Sequence, residues 1–232
     1  MKLTDLYFDL ADLAINLLFG FLIWRYYREM TCRPAQRYST FGPRFWTGTV
    51  DACVLWPVGF LTTVLYSLKL SPIVAAGLVI VGNLAWLLYT VVMHARCGQT
   101  LGKMVTKVRV VDFKTEKGIS WRQAWLREGI PFAIGLGLVV YEVFAILTGR
   151  VSPADLERYG AQGGEPSWLL SALPLLWFAA EVLTMLTNDK NRALHDLLAG
   201  TVVIRTNIPE QSDAASAAPV PGPPDAALSP AS

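Results

Sequence analysis

Five long apolar runs limit what this chain of 232 residues can fold into. An α-helix needs roughly 20 apolar residues to cross the hydrocarbon core of a bilayer, and each run is close to that length. In chain order, the runs are Leu6–Trp24, Phe45–Tyr66, Pro72–Met93, Gly129–Thr148 and Ser167–Thr187. The sequence therefore predicts an all-α polytopic membrane protein with five transmembrane helices.

The composition agrees with a chain that has a lipid bilayer as its main partner. Charged residues make up 16% of the sequence and hydrophobic residues 53%, whereas an ordinary soluble domain has about 25% charged residues. These values argue against a soluble enzyme, a nucleic-acid-binding protein and a wholly disordered chain.

The first span, within residues 1–28, is the least regular of the five because Asp9 and Asp12 lie in its opening turns. The alternative is a secretory signal peptide, which would have basic residues before the apolar stretch. Here Arg25 and Arg28 follow it instead. This order favours a retained, additional N-terminal span.

Basic residues between the spans predict the orientation. Alternate connecting segments hold 16 Lys and Arg residues on one side of the membrane and 4 on the other. The basic side is expected to face the cytoplasm. The N-terminus is then outside and the C-terminus is cytoplasmic, as an odd number of spans requires.

Two segments outside the spans have strand periodicity. Val105–Asp112 alternates valines with Lys107 and Arg109, and Thr201–Arg205 is a second β-branched run. We predict a small cytoplasmic antiparallel β-sheet, to which Ile119–Trp121 could add a returning strand. Ser120 is a plausible N-cap of a helix over Ser120–Arg127.

The last segment, residues 209–232, contains Pro, Ala and Ser at 17 of its 24 positions. It cannot bury enough apolar surface to offset the loss of chain entropy on folding. We therefore predict a disordered cytoplasmic tail.

Ionisable residues inside the spans need an explanation, since each is costly in lipid unless it is paired. Asp51 is expected roughly 9 Å below the cytoplasmic surface, Glu181 at a similar depth, and Glu142 nearer the outer face. Arg44 should extend to the surface, because helical side chains lean toward the N-terminus. The candidate partners for Asp51 are then Arg127, Arg192, His195 and Lys103.

Two interpretations of these carboxylates remain open. In one, Asp51 and Glu181 pair with nearby cations and only determine how the helices pack. In the other, the two carboxylates share a proton, and burial together with the neighbouring charge keeps one of them protonated. Such a pair could bind a cation or relay a proton.

Enzymatic and metal signatures are absent from the sequence. The chain has two histidines, His94 and His195, and lacks H-E-x-x-H, G-x-S-x-G and G-x-G-x-x-G motifs. The three cysteines have neither zinc nor redox spacing. We expect no enzyme activity, no metal and no cofactor.

Three stretches together resemble the RDD family of bacterial membrane proteins. They are Arg44–Asp51 (RFWTGTVD), Gly98–Lys103 (GQTLGK) and Lys190–Val203 (KNRALHDLLAGTVV), and the similarity extends over residues 41–206. By position, the family's arginine corresponds to Arg44 and its aspartates to Asp51 and Asp196. Glu181 and Glu142 match none of its motifs.

The resemblance implies a multi-pass protein of the bacterial cytoplasmic membrane, involved in transport of unidentified ligands. We therefore expect transport or ion coupling, with Asp51 as the buried acidic site and His195-Asp196 as a cytoplasmic gate or proton acceptor. The alternative is a scaffold or assembly factor that transports nothing. Five spans are few to enclose a pathway, so we expect a homo-oligomer or a partner membrane protein.

Overall fold

The structure is a computed structural model that describes residues 3–67, 70–151 and 168–208. Within these ranges it is mostly helical, with one small sheet. The elements in chain order are α1 (Leu3–Glu29), a short 3-10 helix (Pro34–Gln36), α2 (Phe41–Ser67), α3 (Pro72–Cys97), α4 (Leu101–Val105), β1 (Val108–Asp112), α5 (Trp121–Leu147), α6 (Trp168–Leu186), α7 (Leu194–Ala199) and β2 (Thr201–Arg205). The predicted tail, residues 209–232, lies outside the described residues.

The five predicted spans coincide with α1, α2, α3, α5 and α6. Among the described residues, α3 and α5 are long and apolar enough to cross a membrane. Large apolar side chains point outward from the helices, such as Leu175, Val81 and Val140 at 70%, 62% and 59% exposure. A helical protein with a small sheet is confirmed, and the count of five spans stays a prediction.

The predicted antiparallel sheet is confirmed. β1 pairs with β2 in a register that places Val110 opposite Val203 and Asp112 opposite Thr201. β1 begins at Val108 rather than Val105, because the residues just before it form α4. The sheet therefore ties the middle of the chain to its C-terminal part.

The prediction of a third strand over Ile119–Trp121 is wrong. Ser120 caps α5 instead: its hydroxyl accepts a hydrogen bond from Gln123 N, and the Gln123 side chain accepts one from Ser120 N. This reciprocal capping box starts a helix at Trp121, and that helix runs without a break through the fourth apolar run. Ile119 is buried in the apolar core beneath the sheet.

The core beneath the sheet joins three parts of the fold. α3 supplies Leu87 and Val91, the sheet supplies Val108, Val110 and Val203, and the start of α5 adds Ala124. The chain leaves α3 through Gly98, whose positive φ of 68° ends the helix. Gly98 O then accepts a hydrogen bond from Val110 N at 2.8 Å. This turn places α4 directly against α2.

Candidate functional site

Asp196 lies at the centre of a buried group of charged side chains near the N-terminal ends of α2 and α5. Its side chain has no exposed surface, and those of Arg44 and Arg127 are 10% and 3% exposed. Arg44 Nη1 donates to Asp196 Oδ2 at 2.5 Å, and Arg127 Nη1 donates to Oδ1. Because a buried carboxylate is costly unless it is paired, these two guanidinium groups offset the cost of burying the Asp196 side chain.

The local fold explains how Asp196 reaches this position. It lies in the first turn of α7, and its carboxylate accepts a hydrogen bond from Ala193 N at 3.1 Å. Gly200, with φ of 66°, ends the helix, so Thr201 Oγ1 can donate to Asp196 Oδ1 at 2.9 Å. Arg192 bonds the carbonyl oxygens of Asp196 and Thr201. Much of the Lys190–Val203 stretch thus serves to hold one carboxylate.

Asp51 has a different set of partners from the predicted one. Tyr89 Oη and Gly102 N donate to its Oδ1 at 2.9 and 2.7 Å, and Thr100 Oγ1 donates to Oδ2 at 2.7 Å. Within the described residues, Asp51 has no ion pair. None of the four candidates, Arg127, Arg192, His195 and Lys103, forms an ion pair with Asp51, although Lys103 lies close enough to interact with it electrostatically.

The Asp51 contacts attach α4 to α2. Thr100 is the N-cap of α4, and Gly102 N is one of the first-turn donors that have no partner inside a helix. Asp51 satisfies this donor from outside the helix. The approach is so close that a Cβ at Gly102 would collide with Thr47 O and the Asp51 carboxylate. Asp51 thus helps to join two segments of the chain.

One further prediction about the charged residues, the position of Arg44, is wrong, and the contacts of Glu181 do not support the interpretation in which it shares a proton with Asp51. Arg44 does not extend to the surface, because α7 brings the Asp196 carboxylate to the same end of α2. Glu181 does not share a site with Asp51: its Oε1 contacts His195 Nδ1, while Asp51 has the hydroxyl and amide donors described above. Glu142 has no ion pair within the described residues.

Glu128 and His94 extend the group on the other side of Arg127. Glu128 Oε1 lies 3.0 Å from His94 Nδ1 and 3.3 Å from Arg127 Nε. On the Asp196 side, His195 Nε2 lies 3.8 Å from Asp196 Oδ1. We call the connected residues the charge cluster: Arg44, His94, Arg127, Glu128, Glu181, His195 and Asp196. It contains two carboxylate–imidazole pairs linked through arginine and aspartate.

Four of the residues that form these contacts were missed by sequence reasoning: His94, Glu128, Tyr89 and Thr100. Glu128 directly precedes the fourth apolar run, and His94 directly follows the third. Polar residues at the ends of spans usually contact water or headgroups, so their positions did not indicate a buried pair. The adjacency of Arg127 and Glu128 at the start of a span was the one available indication.

Two basic groups, His195 within the cluster and Lys103 beside it, have a lowered affinity for protons. Loss of contact with water lowers the pKa of His195 well below its ordinary value, and the positive charges of Arg127 and Arg44 act in the same direction. Removal from water also lowers the pKa of Lys103 to about 8, assisted by Arg127. Both groups therefore release a proton more readily than they would in water.

We expect the free energy of unfolding to fall as the pH is lowered from 7 to 5. His195 stays neutral in the folded protein because its pKa is lowered, whereas the unfolded chain takes up a proton below about pH 6.5. Thermal unfolding in detergent across this range measures the slope. The variant His195→Gln should have a shallower slope than the parent protein, and equal slopes would contradict the prediction.

Within the described residues, no group of three or more His, Cys, Asp or Glu side chains has a geometry that could hold a metal ion. The charge cluster consists of ion pairs and contacts among arginine, histidine, aspartate and glutamate side chains.

Comparison with known proteins gives one match. A family model described as the RDD family matches residues 38–200, a range that includes every residue of the charge cluster as well as Asp51 and Gly102. No curated protein and no solved structure matches the chain.

Proposed function

The chain belongs to the RDD family, and from its buried charges we propose that it couples to a small ion or an unidentified ligand across a membrane. The proposed topology has five spans in a bacterial cytoplasmic membrane, with the N-terminus outside and the C-terminus inside. The distribution of Lys and Arg supports this orientation. We propose no enzymatic step, and a homo-oligomer or a partner membrane protein would complete any pathway.

The observation that carries the proposal is a cavity between α3 and α5. It has a volume of about 280 Å³ and includes Glu128 in its lining. The remaining lining residues are Asn83, Trp86, Leu87, Thr90, Pro131, Phe132, Gly135 and Val139. Since Glu128 also contacts His94 and Arg127, a cation or proton in the cavity would act directly on the charge cluster.

The cluster has the groups that such coupling needs. Neutralising Glu128 would weaken its attraction for Arg127, and Arg127 would then interact mainly with Asp196. The second carboxylate–imidazole pair, Glu181 with His195, lies on the far side of Asp196. A change of charge at one pair can therefore alter the other through contacts that already exist.

Unbonded buried nitrogen atoms in the cluster support a role beyond packing. Arg44 Nε and Nη2, which are donors, and the Nε2 atoms of His94 and His195 are buried and have no hydrogen-bond partner among the described residues. Buried polar groups in proteins are nearly always bonded. Groups of this kind are available to a bound ligand or to water that moves through the site.

Glu128→Gln tests the proposal. We expect the purified variant in liposomes to move protons or sodium at least about tenfold more slowly, equivalent to about 1.4 kcal/mol, because the variant lacks the charge through which Glu128 interacts with His94 and Arg127. A pH-sensitive dye or a sodium-sensitive dye measures the flux. The matched control is Glu142→Gln, which removes a carboxylate from the same helix outside the cluster and should retain at least about half of the flux.

The alternative function is a membrane scaffold or assembly factor. The hydrogen bonds of Asp51 favour it, since three donors satisfy this family aspartate and leave it a structural contact. A parent protein that moves no ion in liposomes would support the scaffold. Equal flux in Glu128→Gln and Glu142→Gln would remove Glu128 from the pathway.

A further inference from the structure

A second cavity lies beside the two-stranded sheet and shares no residue with the charge cluster. Its volume is about 620 Å³, within the range of small-molecule sites. We call it the sheet pocket, and its lining residues are Pro34, Arg37, Arg109, Val111, Glu116, Lys117, Gly118, Ile204, Arg205, Thr206 and Ile208.

The lining of the sheet pocket is strongly basic. Four of its residues are Arg or Lys, and Glu116 is the one acidic residue. Both carboxylate oxygens of Glu116 are already occupied: Arg37 Nη2 donates to Oε2 at 2.6 Å, and Tyr38 Oη donates to Oε1. These bonds lower the pKa of Glu116, the Tyr38 hydrogen bond most. Arg37 therefore neutralises Glu116, and the other cations remain in excess.

Two of those cations are free to bind an anion. Arg109 and Lys117 are exposed and form no ion pair within the described residues. Arg205 differs, because its guanidinium is buried and Nε donates to Ser39 O at 2.8 Å. Arg109 and Lys117 are thus the groups that would contact a ligand.

Arg109 is also held in place before any ligand binds. Its backbone pairs with that of Ile204 in the sheet. Its side chain packs against the backbone of Gly98, which has no side chain of its own. A Cβ at Gly98 would come within 3.2 Å of Arg109 Cγ and 3.1 Å of Nε. A long side chain that is ordered in advance loses less rotamer entropy on binding.

We propose that the sheet pocket binds a phosphate-bearing organic anion. Arg109 and Lys117 would contact the phosphate, since guanidinium and ammonium groups bind phosphate through charge-assisted hydrogen bonds. The apolar lining residues Val111 and Ile204 would contact the organic part. Two sources share this chemistry, namely the headgroup of an anionic phospholipid and a soluble organic phosphate.

The first test compares two double variants of the full chain in detergent at low salt. Arg109→Gln/Lys117→Gln should bind glycerol 3-phosphate or phosphatidylglycerol at least about tenfold more weakly than the parent protein. The control, Lys114→Gln/Arg122→Gln, removes the same charge from exposed positions outside the pocket and should change affinity less than about twofold. Equal losses in the two variants would overturn the proposal, because they would show only a general effect of surface charge.

The two ligands distinguish the sources. Calorimetry with glycerol 3-phosphate reports a soluble phosphate, and binding to phosphatidylcholine vesicles with and without phosphatidylglycerol reports a headgroup. Binding in either arm that depends on Arg109 and Lys117 supports the site and identifies its source. A parent protein that binds in neither arm refutes it.

A variant that is expected to bind the ligand more tightly keeps the test independent of misfolding. Glu116→Gln removes the one negative charge of the lining and retains a hydrogen-bonding side chain for Tyr38. We expect affinity for the same ligand to rise about threefold or more, since Arg37 is no longer neutralised and the lining gains one net positive charge. A fall in affinity would contradict the proposal. Failure of this site leaves the proposed ion coupling untouched, because the two involve different residues.

Discussion

Replacing Asp196 with Asn should lower the free energy of unfolding by about 3–5 kcal/mol, the cost of leaving a buried charge uncompensated. The side chain keeps its size but loses the negative charge that Arg44 and Arg127 share. An amide also offers N–H groups where the carboxylate only accepts, so several donors would face one another. We expect low abundance in the membrane as well as a lowered thermal midpoint.

Asp189→Asn is the matched control for this prediction. Asp189 is exposed and lies seven residues earlier in the chain, so the same chemical change should cost less than about 0.5 kcal/mol. Thermal unfolding in detergent measures both variants. The double variant Arg44→Gln/Asp196→Asn should lose less free energy of unfolding than the sum of the losses in the two single variants, because the two residues are in direct contact. Full additivity would show that the contact contributes nothing.

The sequence predicted the helices and strands of this fold better than the contacts of its buried charged side chains. Apolar length is a local property, and each predicted span coincides with one helix. The alternation in β1 and β2 is local too, and the pairing of these strands was predicted correctly. The strand over Ile119–Trp121 failed because a stronger local pattern, the capping box of Ser120 and Gln123, starts a helix there.

Partners of the buried charges depend on how distant segments meet, and spacing alone does not determine this. Arg44 was placed at the surface from its position on α2, but its partner comes from α7, far along the chain. Asp51 was predicted to have cationic partners, yet the turn at Gly98 brings the backbone amide of Gly102 and the hydroxyl of Thr100 to it. The carboxylates of Asp196 and Asp51 are thus compensated by groups that only the tertiary fold brings near them.

Gly102→Ala should lower the free energy of unfolding by about 3 kcal/mol, although alanine is ordinarily the better helix former. Its Cβ would collide with the backbone oxygen of Thr47 and lie 2.9 Å from Asp51 Cγ, so α4 has to move away from α2. Overpacking of this kind costs about 1–3 kcal/mol. The shift would also weaken the bond from Gly102 N to Asp51, and bonds to charged groups contribute about 1.5–3 kcal/mol.

Gly82→Ala provides the contrast that makes this prediction specific. Gly82 lies within α3, and a Cβ there would meet nothing within 4 Å. The free energy of unfolding of that variant should rise by about 0.5–1 kcal/mol through helix propensity alone. The two glycine substitutions should therefore shift the thermal midpoint in opposite directions. A stabilised Gly102→Ala would mean that α4 does not lie against α2. The Asp51 contacts on which the scaffold alternative rests would then be lost as well.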